Sequence, residues 1–190
     1  ELASVPGMQF RASQLEMAET VARAIEDQSR GAIEAGTGTG KSLAYLVPLL
    51  LRSPVDEGPA IIATKTVQLQ EQLLKKDLPT LQNLLQTPKK VVLAKGWSNY
   101  LCIRKVEAPD ETTVRTVGPV LPRLRQMVVQ QSGRVTRGEA PVSQSQWAKV
   151  KADPLDCQKR NCPHFSSCGL FAERRELETA ELIVTNHAFL

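Results

Sequence analysis

Two stretches of this chain carry residues whose types and spacing could do chemistry. The first is EAGTGTGKS, residues 34–42. A loop that cradles phosphate needs glycines, so that successive backbone N–H groups can turn inward. It also needs a lysine to reach the outer phosphates of a nucleoside triphosphate and a hydroxyl to ligate Mg²⁺. Gly36, Gly38 and Gly40 meet the first demand, with Thr37 and Thr39 between them; Lys41 meets the second and Ser42 the third. Ala35 stands where the strict pattern has its first glycine, which adds one methyl group and removes no N–H. Ala35 to Ser42 are therefore the expected binding residues, with Lys41 and Ser42 in the catalytic roles. ATP with Mg²⁺ is the expected ligand pair.

The second stretch is CQKRNCPHFSSC, residues 157–168, which gathers Cys157, Cys162 and Cys168. The remaining cysteine, Cys102, lies upstream in GWSNYLCIRK, giving the spacing C-x54-C-x4-C-x5-C. Disulfides fit poorly with a nucleotide-driven motor, which works where thiols stay reduced. No CxxC redox pair is present. A four-thiolate site remains, either tetrahedral zinc or an iron–sulfur cluster. Structural zinc commonly uses two close pairs, so one distant cysteine with a wide triplet favours the cluster and keeps Zn²⁺ as the alternative. His164 could serve zinc, but beside Pro163 it reads as a surface residue.

The flanks add candidates. Phe10, Arg11 and Gln14 precede the first expected helix. Gln14 reads either as a helix-start residue or as an adenine contact through its paired amide donor and acceptor, with Arg11 able to stack on the base. In ATKTVQLQEQLL, Thr64 and Thr66 end a strand and open a helix, a place suited to a nucleic-acid phosphate as well as to simple capping. Trp97 and Tyr100 are candidate base-stacking aromatics or packing around Cys102.

These residues need elements to position them. Met17, Ala18, Val21, Ala22 and Ile25 fall at helical spacing, and GAIEA (31–35) reads as a strand entering the glycine loop. KSLAYLVPLLLR reads as a helix bent or shortened by Pro48. AIIAT (60–64) and VVLA (91–94) read as buried strands separated by a helix over 67–78. Residues 95–167 break the alternation and hold six prolines, with helices around VLPRLRQMVVQQ and QSQWAKVK. An amphipathic GLFAERRELETA then leads into the strand ELIVT (181–185). The expected fold is α/β: a RecA-like P-loop parallel sheet with an inserted, mostly helical cluster domain. The boundaries are 1–94 for the first part of the motor domain, 95–175 for the insert, and 176–190 for the return.

Composition excludes little more. With 42% hydrophobic residues the chain can bury a core, and its longest apolar run, LAYLVPLLL, is too short for a membrane span. The N-terminus lacks a signal-peptide pattern. The formal net charge of +4 suits a polyanionic partner or merely a solvated face.

Taken in order, FRASQLEM, EAGTGTGKS, ATKTVQLQEQLL, KGWSNYLC, CQKRNCPHFSSC and VTNHAFL resemble the iron–sulfur superfamily 2 DNA helicases of the XPD-like group, in particular the bacterial DinG/YoaA branch. The resemblance covers essentially the whole chain, and the cysteine triplet behind NYLC is its most specific element. It implies a [4Fe–4S] cluster on Cys102, Cys157, Cys162 and Cys168. It also implies ATP-dependent 5′ to 3′ unwinding and a place in DNA repair. Single-stranded and forked or structured DNA would be the substrates, and the protein would act as a monomer in the bacterial cytoplasm with the nucleoid. Any replication or repair partner is left unnamed. One departure stands out. The Asp-Glu pairs are Asp56-Glu57 and Asp110-Glu111, both in loop-like sequence, and neither follows an apolar strand as a Walker B pair would. The expectation is an N-terminal fragment that binds ATP but does not hydrolyse it. Two rivals stay open: a zinc-stabilised P-loop module that binds nucleic acid without unwinding it, and a non-catalytic domain whose cysteine segment docks a protein partner.

Overall fold

The computed structural model describes residues 11–52, 58–187 and 189. They form two compact units, one running up to Leu93 and including Glu181–Asn186, the other comprising Ala94–Ala180 with His187 and Phe189.

The first unit is built on a three-stranded parallel sheet. Strands β1 (Ala60–Thr64) and β2 (Val91–Leu93) flank the central β3 (Leu182–Asn186) in the order β1-β3-β2. Ala60 is opposite Leu182 and Val91 is opposite the same residue, so β3 is paired on both edges. That position explains its sequence: Leu182, Val184 and Thr185 are all buried, and a doubly paired strand reads as nearly continuous apolar chain. Glu181 locks the start of β3 by donating its N–H to Lys90 O (3.0 Å), while its carboxylate accepts the Lys90 N–H (2.8 Å).

Helices cover the sheet. Helix α1 (Ala12–Glu26) packs along α2 (Lys41–Leu51), which contains Pro48 and continues to Leu51. Leu46 and Leu50 of α2 join Leu73, Leu78, Leu81, Leu182 and Val184 in one aliphatic core. The helix expected over 67–78 is longer and broken in register. Thr66 caps α3 (Val67–Gln72) by accepting the Leu69 N–H (3.3 Å), a π-helical turn occupies Leu73–Asp77, and α4 (Leu78–Leu85) follows. Pro79 supplies the reason: it has no N–H for the carbonyl of Lys75, so the hydrogen-bond ladder slips by one residue there.

The strand expected over 31–35 does not form. Gly31 to Glu34 are exposed, and this segment joins no ladder of the sheet. Ile33 is its one large apolar residue and is 40% exposed, so little burial is gained by pairing it.

The second unit is helical. It holds α5 (Ile103–Glu107), α6 (Glu111–Val117), α7 (Leu121–Gln130), α8 (Gln144–Val150) and α9 (Gly169–Leu177). The sequence reading missed α5 and α6. Asp110-Glu111 is accordingly not in a loop: Asp110 caps α6, accepting N–H from Thr113 (2.7 Å), and Glu111 is its first residue. The Asp56-Glu57 pair and Phe10 lie outside the described residues. Leu101, Val106, Val117, Leu124, Val135, Trp147 and Val150 form the main core. Trp147 donates its indole N–H to Ser98 O (2.8 Å), so its polar edge is satisfied inside. Ser143 and Gln146 close a reciprocal capping box on α8. Among the described residues no helix is long and apolar enough to cross a membrane.

Candidate nucleotide site and thiol cluster

In the first unit the glycine loop enters α2 with Gly38 and Gly40 in the left-handed region, at φ 78° and 81°. Gly40 is the N-cap of α2, so the free N–H groups of that helix's first turn open at the loop. The Lys41 ammonium donates to Ala35 O (2.6 Å) and Gly36 O (2.8 Å), and the Thr39 hydroxyl donates to Gly36 O (2.9 Å). The loop is thus closed on itself by its own side chains. The Tyr45 hydroxyl, near Ser42, has its pKa raised, first by burial and further by the charge of Asp77, with Ser42 pulling the other way.

Arg11 and Gln14 reach the same loop. Arg11 donates to Gly38 O, and Gln14 Nε2 donates to Gly40 O (3.0 Å). Each side chain thus holds one loop carbonyl. A Cβ on Gly40 would meet the end of the Gln14 side chain, which would have to swing aside, and the positive φ disfavours a side chain there besides. A cavity of about 440 Å³ opens beside Gly38, Gly40, Lys41 and Ser42, and its other wall includes Gln72, Lys76 and Asp77. Asp77 is 9% exposed and accepts from Gln72 Nε2 (3.0 Å). The sequence reading missed this carboxylate, because in QEQLLKKDL it looks like one more solvated helix charge. Only the proline two residues on, which creates the π turn, hinted at something irregular.

Thr64 and Thr66 lie at the end of β1. Thr64 is 3% exposed and donates to Thr66 O (3.1 Å), while Thr66 is exposed and caps α3. Of the two, only Thr66 is exposed.

In the second unit each cysteine sits at the edge of an element. Cys102 is the N-cap of α5 and Cys168 the N-cap of α9, while Cys157 and Cys162 flank a 3-10 turn over Lys159–Asn161. All four are half-buried free thiols. Cys102 is held by donating its N–H to Val150 O (2.7 Å). With Cys168 it packs against a small cluster of Tyr100, Ala152 and Leu170. Burial pushes the Cys168 thiol up; the N–H groups of Phe171 and Leu170 pull it down, and Cys102 and Cys157 push it up again. Arg104 feels both Cys102 and Cys162. The four sulfurs therefore share one electrostatic neighbourhood. Among the described residues, however, no three His, Cys, Asp or Glu side chains are close enough to grip a single metal ion.

Two features that sequence reasoning missed assemble this region. Asp156, next to Cys157, accepts from Arg104 (2.8 Å) and pairs with Lys105 (2.9 Å), both on the helix capped by Cys102. Gly169, next to Cys168, lies so close to the end of α7 that a Cβ would stand 2.4 Å from Gly133 O.

The aromatics expected to stack on bases part company. Tyr100 is 3% exposed, with its ring inside the cluster, so it presents no face to a base in this structure. Burial and then the neighbouring Glu173 raise its pKa, and burial raises that of Glu173 in turn. Trp97 is half-buried and meets Phe171 edge-on, with centroids 6.0 Å apart.

No model of a known protein family matches the chain. Among curated proteins, the ATP-dependent helicase DinG of Mycobacterium tuberculosis is 35% identical over 202 residues, covering 95% of this chain and 30% of that protein. The ATP-dependent DNA helicase YoaA of Escherichia coli is 34% identical over 190 residues, with 97% of this chain and 29% of that protein covered. YoaA of Haemophilus influenzae is 33% identical, with the same coverage. Along nearly its whole length, then, the chain belongs with the DinG/YoaA ATP-dependent helicases, and it spans less than a third of theirs.

Proposed function

We propose that this chain is the ATP-binding and thiol-bearing part of an ATP-dependent DNA helicase. The observation that carries the reading is the glycine loop, with two left-handed glycines, a lysine and a serine at the start of α2, opening on a cavity of about 440 Å³. In this reading Lys41 exchanges the carbonyls of Ala35 and Gly36 for phosphate oxygens. Backbone N–H groups from Gly36 to Ser42 meet the remaining phosphate charge, and the Ser42 hydroxyl ligates Mg²⁺. Arg11 and Gln14 steady the loop from α1, and each keeps further hydrogen-bonding capacity for an adenine contact.

In the complete protein, ATP binding and hydrolysis would drive stepwise movement along a single strand, 5′ to 3′. The chain itself binds ATP without hydrolysing it. Its Asp-Glu pair at 110–111 is committed to capping α6, and no Asp-Glu follows an apolar strand.

Cys102, Cys157, Cys162 and Cys168 would hold a [4Fe–4S] cluster. The chemistry of the donors supports this, although no three ligating side chains among the described residues converge on one metal position: four half-buried thiols, an N–H donor at Cys157 (from Lys159, 3.3 Å), and Arg104 to offset thiolate charge. When bound, such a group supplies a covalent cross-link between segments and a one-electron redox centre. This chain's residues position the sulfurs and limit solvent around two of them. Single-stranded and forked DNA are the proposed substrates, with Thr66 and Trp97 the remaining candidate contacts of those named from sequence.

Two measurements on the chain test this reading. Binding of a fluorescent ATP analogue should weaken by about 10- to 100-fold in Lys41→Ala, the loss expected for charge-assisted hydrogen bonds. DNA-stimulated hydrolysis by the chain, abolished in Lys41→Ala, would refute the division of labour proposed here. Anaerobically purified protein should be brown, with about four irons and matching sulfide, and Cys157→Ser should bleach it. One tightly held zinc and no sulfide would replace the cluster with the zinc-stabilised module.

A further inference from the structure

With Tyr100 buried, the second unit needs another surface if it is to meet nucleic acid. A cavity of about 890 Å³ lies beside the cysteine turn. Phe165 and Phe171 line it, with ring centroids 4.6 Å apart and planes inclined at 47°. Around them stand Lys159, Arg160 and Arg175, joined by Arg174, with Glu178 the single acid of the lining. Arg174 is engaged over the Phe189 ring at 4.8 Å, and Arg175 makes a long hydrogen bond to Ser166 O (3.4 Å). Lys159 and Arg160 are exposed, and neither side chain has a hydrogen-bond or ion-pair partner among the described residues.

The backbone that displays them is unusual. Lys159 has φ 52°, a left-handed conformation that a non-glycine residue keeps only where its surroundings hold it. In that conformation its N–H reaches the Cys157 sulfur at 3.3 Å. The turn that joins Cys157 to Cys162 thus also presents two free cations at the mouth of an aromatic cavity.

An aromatic-lined cavity alone would accept many apolar groups, and a cationic patch alone many anions. Together they select a flat π-system carrying a negative charge. A nucleotide in a single strand has both, with its base free to leave the stack and a phosphate on either side. We propose that this cavity is a nucleotide pocket for single-stranded nucleic acid, in which one base packs against Phe165 and Phe171 and the adjoining phosphates meet Lys159, Arg160 and Arg175. The proposal rests on the reading of the chain as nucleic-acid binding and adds the residues and the mode of contact.

The test measures binding of the chain at low salt to a single-stranded oligonucleotide and to an abasic strand of equal length and charge. The base-bearing strand should bind more tightly. Phe165→Leu should weaken it by about 5- to 100-fold while leaving the abasic strand nearly unaffected, as expected for loss of a base–aromatic stack. Arg160→Glu should weaken both strands by about tenfold and shrink the salt slope by about one. Arg115→Glu serves as the control, since the Arg115 side chain is 82% exposed and among the described residues meets only Glu111, on α6; it should cost about threefold or less. If the wild-type chain binds neither strand, the nucleic-acid reading itself fails. Binding that ignores the bases, with Arg160→Glu no worse than Arg115→Glu, overturns the pocket alone. Efficient displacement by polyglutamate, with no preference for bases, would also overturn the pocket and make this an acidic-peptide surface.

Discussion

The two units solve the problem of building a site in opposite ways. In the first, the chemistry is contiguous: Ala35 to Ser42 follow one another, and the loop's conformation comes from its own glycines. In the second, Cys102 and Cys157 are separated by four α-helices and reach one neighbourhood only because α5, α8 and the Asp156 clasp put them there. A contiguous site leaves part of its scaffold free to lie at the surface: α1 has no fully buried residue, although α2 beside it enters a core with Leu46, Leu73, Leu81, Leu182 and Val184 at zero exposure. A dispersed site needs a finished core, and the second unit has one, with Val106, Val117, Leu124, Val135 and Val150 at zero exposure.

The largest effect that could break this comparison is a cavity in the finished core. Leu124→Ala should cost about 2–5 kcal/mol, read as a lower unfolding midpoint of the second unit and loss of the thiol site, with ATP binding preserved. If ATP binding fell in step, the two units would not be separable in the way their sites suggest.

A smaller effect sharpens the contiguous side. Gly40→Ala brings a Cβ against Gln14 at an unfavourable φ, and should weaken ATP binding by about tenfold, in line with about 1–3 kcal/mol of backbone strain. The double variant with Gln14→Ala removes the clash and leaves the φ strain. It should therefore recover part of the loss, and full recovery would show that α1 alone imposes the glycine.

The smallest effect depends on pH. Burial raises the Glu173 carboxyl above its ordinary value, while the Lys95 N–H, which it accepts at 3.2 Å, works against that shift. A raised carboxyl contributes stability that is full below about pH 4, near its unfolded pKa, and lost as pH rises through the folded value. Glu173→Gln lacks this titration. The melting temperature of the second unit in the variant, relative to wild type, should rise between about pH 4 and pH 7. A constant difference would mean that Glu173 titrates alike in the folded and unfolded chain.

What was legible in the sequence follows the same division. AIIAT forms β1 over the expected residues, VVLA overruns β2 by one residue and ELIVT is offset from β3 by one residue at each end, because buried parallel strands announce themselves as apolar runs. The start of α2 at Lys41 was legible from the glycines before it. The strand over 31–35 was over-read, since one isoleucine between small residues supplies too little to bury. The π turn, α5 and α6 escaped because their causes are non-local: a missing N–H at Pro79, and short helices that form only when Val106 and Val117 have a core to enter. Tyr100 escaped for a related reason. An aromatic beside a cysteine looks the same in sequence whether it faces a ligand or the interior.

Both tryptophans of the chain, Trp97 and Trp147, belong to the second unit, whereas Tyr45 is the aromatic phenol of the first. Emission excited at the red edge of indole absorption is therefore a private channel for the helical unit, silent to melting of the sheet. Trp97 packs with Cys102 and Cys168 in one cluster. A coloured group held by those sulfurs would drain its excited state by energy transfer, so that brightening on treatment with chelator and oxidant would time the loss of that group without any added dye.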